Sequence, residues 1–464
     1  MTRWPARLER GRAVRSVRTQ GAVLKTGARD RRNALLLACF AFVIYNANMR
    51  SISAGDCVPA RTLPFSVLAH RSLHLEPMLE APRAGEPLPY WIIHSVRGAR
   101  VSAYPIVTPL LVTPLYLPAA VILEALHWKE PFFHCGAEIM EKVSASVLAC
   151  TSVGLFYLLL RRRLEPGKAI LLAAGFAFGT NTWSTSSQAL WQHGTAELLI
   201  VVALLCLTGE QTTRNAVLLG SVCALIAANR PPDAPLVAAL GACGLFRARK
   251  KSPMLIFSFV LLTLPFLFYN WVTFRNLLGG YGVMMANAPK FFLRSSIPEA
   301  LAGLLFSPAK GLFFFSPFLL FLAGLVRQPF RDRDDRTTAI FLATGVFLQL
   351  LLYSCTDWRA GSSYGPRFLV DMLPILVWLL VPVVAALRGR GIVAFAVAVL
   401  VSTGPQFIGS FCYPTGHSDN VIHPKGLGNI EMNVWSISDS PVVVEGRAGL
   451  APMTFVQYLK RLVQ

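Results

Sequence analysis

Apolar runs long enough to cross a bilayer recur along this chain, and they constrain its fold more than any motif it carries. They are roughly 15–21 residues long, about the length that spans a hydrocarbon core. No long apolar/polar alternation reads as a barrel strand, so backbone polar groups must be satisfied within helices. Blocks at 34–52, 142–160, 169–185, 190–208, 216–229, 232–246, 254–272, 311–326, 338–354, 368–387 and 391–411 predict an all-α polytopic membrane protein of eleven transmembrane helices. A hydrophobic share of 54% against 15% charged residues exceeds what a soluble globular chain carries.

The net charge of +20 would suit a nucleic-acid partner if it were spread evenly. It is not. With the N-terminus inside, six inner segments (1–33, 161–168, 209–215, 247–251, 327–337 and 388–390) hold 25 of the 44 Lys/Arg and 7 of the 24 acids. The positive-inside rule therefore supports this orientation, and anionic lipid heads replace nucleic acid as the expected partner. Residues 1–33 carry ten Lys/Arg against Glu9 and Asp30, with no A-x-A site after the next apolar block. They read as a retained cytoplasmic extension, although an over-long start would leave the same pattern.

The block Tyr104–Leu126 is apolar too, but it contains Pro105, Pro109, Pro114 and Pro118, each lacking a backbone donor. Counting it as a span would send RRRLEPGK and RARKK outside. The expectation is a kinked helix at the outer interface, inside a first extracytoplasmic loop of residues 53–141. The polar tail, 412–464, then ends outside. The two halves of the chain show no internal repeat of the kind many transporters carry.

Four outer segments could carry chemistry. Asp56, just past the first span, could serve as a general base, or cap the helix that starts at Val58. Arg61, Arg97, Arg100 and Tyr104 put cationic and phenolic groups on the same loop, where the arginines could equally snorkel to lipid phosphates. Lys310 stands at the outer start of a helix, a position that suits a bound anion. In Asp357-Trp358-Arg359-Ala-Gly-Ser-Ser-Tyr364-Gly-Pro-Arg367, Arg367 could grip a phosphate while Trp358 and Tyr364 stack on a sugar. A plain interfacial aromatic belt would look similar. Arg230 and Asp233 share one tight turn, with a local ion pair as the simplest expectation, and His193 lies in another.

All eight histidines fall on the outer side without ligand-like pairing, and no Cys-x-x-Cys occurs among nine cysteines. No metal site is expected, although the sequence does not exclude a divalent ion. Cys57, Cys135, Cys355 and Cys412 lie outside and could pair in an oxidising compartment.

Over roughly residues 34–411 the layout resembles the GT-C superfamily of membrane glycosyltransferases, which includes dolichyl-phosphate-mannose–protein mannosyltransferases and lipid A aminoarabinose transferases. The likeness rests on the long first outer loop with Asp56 after the first helix. It also rests on the Tyr104-Pro105 amphipathic segment and on the inner Arg161-Arg-Arg-Leu164. The resemblance implies a bacterial inner-membrane enzyme with a polyprenyl-phosphate-linked sugar as donor and no cofactor. Asp56 would be its catalytic base, with Arg61, Arg100, Tyr104, Lys310, Trp358, Tyr364 and Arg367 around the donor. His193, Arg230 and Asp233 would serve the acceptor or support the site. Many members carry two adjacent acids, whereas Asp56 is followed by Cys57. A non-catalytic assembly partner, or a lipid or sugar flippase, remains as the alternative. A flippase requires charges at mid-membrane, and stretches such as Leu198–Leu205 are apolar.

Overall fold

The computed structural model describes residues 27–79, 87–287, 296–359, 363–414 and 433–463. Most of the N-terminal extension, Gly361–Ser362 and the first part of the tail lie outside the described residues. The chain runs α1 (Ala28–Asn46), α2 (Val58–His70), β1 (Ile92–His94), β2 (Arg100–Ser102), α3 (Val107–Ala125), α4 (Phe132–Arg161), α5 (Pro166–Phe178) and α6 (Gln192–Thr208). It continues through α7 (Thr213–Asn229), α8 (Ala234–Arg247), α9 (Ser252–Phe274), α10 (Gly280–Asn287), α11 (Ile297–Phe306), α12 (Leu312–Phe315) and α13 (Arg333–Ser354). Last come α14 (Leu373–Leu379), α15 (Val381–Ala386), α16 (Arg390–Phe411), α17 (Pro441–Ala448) and α18 (Thr454–Val463).

Six helical stretches among the described residues are long and apolar enough to cross a membrane: Val107–Ala125, Phe132–Arg161, Arg249–Phe274, Arg333–Ser354, Arg367–Ala386 and Arg390–Phe411. The protein is thus all-α and, by helix length and composition, multi-pass. Phe268 on α9 and Leu400 on α16 are 71% and 70% exposed, as side chains facing hydrocarbon are. Two expected spans are less regular than the sequence suggested. Pro317 ends α12 and the chain continues as a 3-10 helix to Val326, because proline lacks the donor an α-helix needs there. Likewise Arg367–Met372 is 3-10, followed by the short α14 and α15, each with a proline as its second residue.

The basic runs knit one end of the bundle. Arg161 Nε lies 2.7 Å from Asp30 at the start of α1, and Arg163 clasps Asp335 of α13 through two bonds of 2.5 and 2.9 Å. Lys168 donates to Ala385 O at 2.6 Å, and Arg162 donates to Leu205 O at 2.6 Å. Planar arginine forks suit both carboxylates and the free carbonyls at helix ends. At the far end of α1, Ser51 and Ser53 donate to Glu141 of α4 at 3.1 and 2.8 Å. The two helices therefore run antiparallel. Gly154 lets them approach closely, since a Cβ there would meet Ala34 O at 3.2 Å.

α3 is one continuous helix despite Pro114 and Pro118. Its length would let it cross, and both its ends make contacts at one end of the bundle. Thr108, in the first turn, lies 2.7 Å from Asn229 Oδ1 and 2.9 Å from Thr195 Oγ1. Leu123, in the last turn, packs on Gly136 near the start of α4. Thr195, Asn229 and Gly136 all belong to the end of the bundle opposite Arg161. At about 1.5 Å per residue, the 30 residues of α4 reach about 45 Å. That exceeds a core of about 30 Å.

Candidate functional site

Asp56 sits in a 3-10 turn, Gly55–Cys57, that leads into α2, and it makes no cap to that helix. Its carboxylate instead collects three partners from distant parts of the chain. The hydroxyls of Tyr90 and Tyr104 both donate to Oδ1 at 2.8 Å, and Arg367 Nη1 donates to Oδ2 at 2.9 Å. The hairpin explains the tyrosines. β1 and β2 pair antiparallel with Ile92 opposite Ser102, so residues 90 and 104 leave the same end of the ribbon. Gly98, at φ +83°, makes the turn.

Burial alone would push the Asp56 carboxyl up. The Arg367 guanidinium, with the two tyrosine hydroxyls, outweighs burial and holds it below the usual carboxylate range. Burial and the facing Asp56 charge push the Tyr90 and Tyr104 phenols up, so both remain donors. Arg367 lies over the Trp191 ring, 4.7 Å from its centroid, and 5.6 Å from that of Phe368. Its Nε is buried without a hydrogen-bond partner among the described residues, as is Trp358 Nε1.

Two crevices lie nearby, and only the first has Arg367 in its wall. One is lined by Leu304, Lys310, Trp358, Ser363, Gly365, Pro366, Arg367 and Phe368, and Lys310 Nζ there donates to Ser363 O at 2.6 Å. The other is lined by Ile52, Ser53, Ser184, Thr185, Trp191, Ser363, Tyr364 and Tyr413. Part of its wall comes from the polar run after α5, where a π-helical turn, Thr182–Ser186, replaces the end of the helix expected to reach residue 185. Ser184 Oγ donates to Gln406 Oε1 at 2.6 Å, and Tyr364 donates to Pro405 O at 2.7 Å.

Of the residues singled out from sequence, Asp56, Tyr104 and Arg367 meet directly, and Lys310 and Trp358 share a crevice with Arg367. Tyr364 faces the other crevice. Arg61 and Arg100 do not join them. Arg61 lies 3.5 Å from Glu141 and 3.7 Å from Glu138, because α2 packs on α4. Arg100 is held on β2, its backbone N–H donating to Glu76 at 2.7 Å and Nη2 to Leu79 O at 3.2 Å. All nine cysteines are free, and no group of three or more metal-ligating side chains occurs among the described residues.

His193, Arg230 and Asp233 do converge, but around Asp371, which is not among the residues singled out from sequence. His193 Nδ1 donates to Asp371 at 3.0 Å, and Arg230 Nε lies 2.7 Å from Asp371 and 3.3 Å from Asp233. Arg230 Nη2 also donates to the Tyr353 hydroxyl at 2.7 Å. Asp371 lies one turn past Arg367 on the same short helix, which ties this cluster to the Asp56 site. The only signal for it was an acid four residues after an arginine at the head of an apolar run. Tyr90 was missed as well, since its role depends on the hairpin. No family model and no curated protein matches this chain.

Proposed function

We propose that the protein is a polyprenyl-phosphate-sugar-dependent, inverting glycosyltransferase of the GT-C kind. The observation that carries this reading is an ionised carboxylate beside a cationic crevice whose donors are not all used. Arg367 spends Nη1 on Asp56 while its Nε, and Trp358 Nε1, have no partner among the described residues. A phosphate at headgroup depth would supply acceptor oxygens to these groups and to Lys310. Arg367 would turn from Asp56 to the phosphate, freeing Oδ2. Asp56 then takes the proton of an acceptor hydroxyl as that oxygen bonds to the anomeric carbon. The bond from that carbon to the phosphate oxygen breaks, and its electron pair leaves with the polyprenyl phosphate. Deleting the gene should remove one glycosyl substituent from envelope lipids, polysaccharides or proteins, read by mass spectrometry. An unchanged glycan inventory would overturn the reading.

In this scheme the inner membrane of a bacterium is crossed eleven times: by α1, α4–α9, 312–326, α13, 367–386 and α16. α3 lies at the outer interface. The end-to-end pairing of α1 with α4 and the contacts at both ends of α3 support this, as does the charge asymmetry. The N-terminus is then inside and the C-terminus outside. A C-terminal alkaline phosphatase fusion should be active and a fluorescent-protein fusion dark, and the opposite pattern would refute the count.

The depressed Asp56 pKa sets a pH expectation. Its ionised form persists down to the depressed value, so transfer should hold until pH falls below the usual carboxylate range. Arg367→Met removes the charge most responsible, so the acid limb of the residual rate should move to higher pH. An acid limb that stays put would argue against Asp56 as base. A transport reading has one observation in its favour: Lys142, Glu197 and Asp371 are buried ionisable groups within the bundle. It predicts flux that survives Asp56→Asn.

A further inference from the structure

Tyr104 meets Asp56 through its hydroxyl, and its backbone is pinned by Ser102, whose Oγ accepts from Tyr104 N at 3.0 Å. What limits the swing of the ring between those two points comes from the segment after α9. Arg275, at φ +52°, ends that helix. The chain then reverses, with Asn270 Nδ2 donating to Leu277 O and Leu278 N donating to Asn276 Oδ1, both at 2.9 Å. This turn delivers α10 to the hairpin. At the hairpin's own turn, Val96 N donates to Thr273 O at 2.9 Å. At its exit, Gly280 lies so close to Ala103 that any side chain there would collide with the Ala103 carbonyl.

The next residue, Tyr281, sets its ring edge-on to Tyr104, with centroids 5.8 Å apart and planes at 88°. Its hydroxyl donates to Gln192 Oε1 at 2.9 Å. Gln192 is a fixed anchor. It opens α6, its carbonyl accepts from Asn229 Nδ2 at 2.9 Å, and its neighbour His193 is bonded to Asp371. Tyr281 thus braces Tyr104 against the start of α6.

The brace matters most when Arg367 is elsewhere. In the transfer scheme Arg367 leaves Oδ2 for the phosphate, and the carboxylate is then held through Oδ1 by the two phenols. Tyr90 is 60% exposed, so water competes for its bond, whereas Tyr104 is half-buried. Resting on the glycosyl-transfer reading above, we infer that Tyr281 is a positioning residue: it keeps the Tyr104 hydroxyl on Oδ1, so that Oδ2 stays aimed at the acceptor. Asp56 faces Tyr90, Tyr104 and Arg367, with the buried Cys57 thiol beside it in the chain. Tyr281 makes no hydrogen bond to it among the described residues. Losing the brace lets the Tyr104 hydroxyl drift from the charged carboxylate. That favours protonation, so the Asp56 carboxyl should titrate at higher pH.

Infrared difference spectroscopy on the full chain in lipid nanodiscs follows this directly, by reading the carboxyl band that Asp56→Asn removes. Tyr104→Phe should raise its titration by about one pH unit, as expected for losing one hydrogen bond to a charged group. Tyr281→Leu should raise it by about half that or more, and Tyr281→Phe, which keeps the ring edge, should titrate near the wild type. Added to Tyr104→Phe, Tyr281→Leu should raise it no further, because both act through one hydroxyl. In a transfer assay, Tyr281→Leu should lower kcat by about tenfold or more with the KM for the lipid donor unchanged. Gly280→Ala keeps Tyr281 but displaces Ala103, so it should shift the band in the same direction and guards against a folding defect in the leucine variant. A Tyr281→Leu band that titrates with the wild type overturns the inference and leaves the transfer reading standing. So does a shift that adds in full to that of Tyr104→Phe. A wild-type chain that transfers no sugar yet shows these titrations would bring down the transfer reading and leave the brace on Asp56 in place.

Discussion

Asp56→Asn is expected to cut glycosyl transfer by about 10²–10⁴ while leaving the protein folded. Asparagine keeps the shape of the side chain, and its carbonyl can still accept from Tyr90 and Tyr104. What disappears is the basic oxygen that now faces Arg367 at 2.9 Å. The new amide would point donors at the guanidinium, a local cost. The Asp56 side chain is 23% exposed, so that lost pairing amounts to about 1 kcal/mol or less. Yield and size-exclusion profile should therefore match the wild type. Product should be measured by mass spectrometry of membranes from a deletion strain carrying the variant. Near-wild-type product would remove Asp56 from the chemistry. Equal loss of product and of folded protein would reduce Asp56 to a structural residue.

How far the sequence foretold this site depends on which interactions are local. The apolar periodicity and the one-sided charge located the helical bundle, because hydrocarbon imposes length and composition residue by residue. The Arg230–Asp233 pair was equally visible, being three residues apart. Asp56 stood out by position, yet its partners come from residues 90, 104 and 367. Nothing short-range ties those to it except a hairpin hidden in Ile92–Ser102. Arg61 and Arg100 looked equivalent to Arg367 in sequence. Helix packing decided otherwise, giving Arg61 to two α4 carboxylates and Arg100 to Glu76. Thr180–Gln188 was read partly as helix because its flanks are apolar. Its polarity, interrupted only by Trp183, was the available sign of a non-α turn, since serine and threonine compete with the helix for backbone groups.

Arg230→Met should produce the largest loss of stability of any single substitution in the half of the bundle that carries Asp56. The guanidinium touches Asp371, Asp233 and the Tyr353 hydroxyl, and the side chains of Arg230, Asp233 and Asp371 are 7%, 0% and 1% exposed. Removing it leaves two buried acids with only His193 and Gln349 for company, and breaking such an arrangement costs about 3–5 kcal/mol. Folded, monodisperse protein in detergent should fall sharply, with a lower apparent melting temperature. Arg230→Lys should recover only part, because one ammonium cannot bridge three groups that a planar fork reaches. Arg230→Met combined with Asp371→Leu should be milder than Arg230→Met alone, since the charge stranded by the first change is deleted by the second. A wild-type melting temperature for Arg230→Met would show the cluster to be dispensable. The double variant also probes function, because Asp371 shares a short helix with Arg367. A double variant that folds but no longer transfers sugar would make the cluster the anchor that aims Arg367 at Asp56. One that folds and transfers normally would confine it to stability.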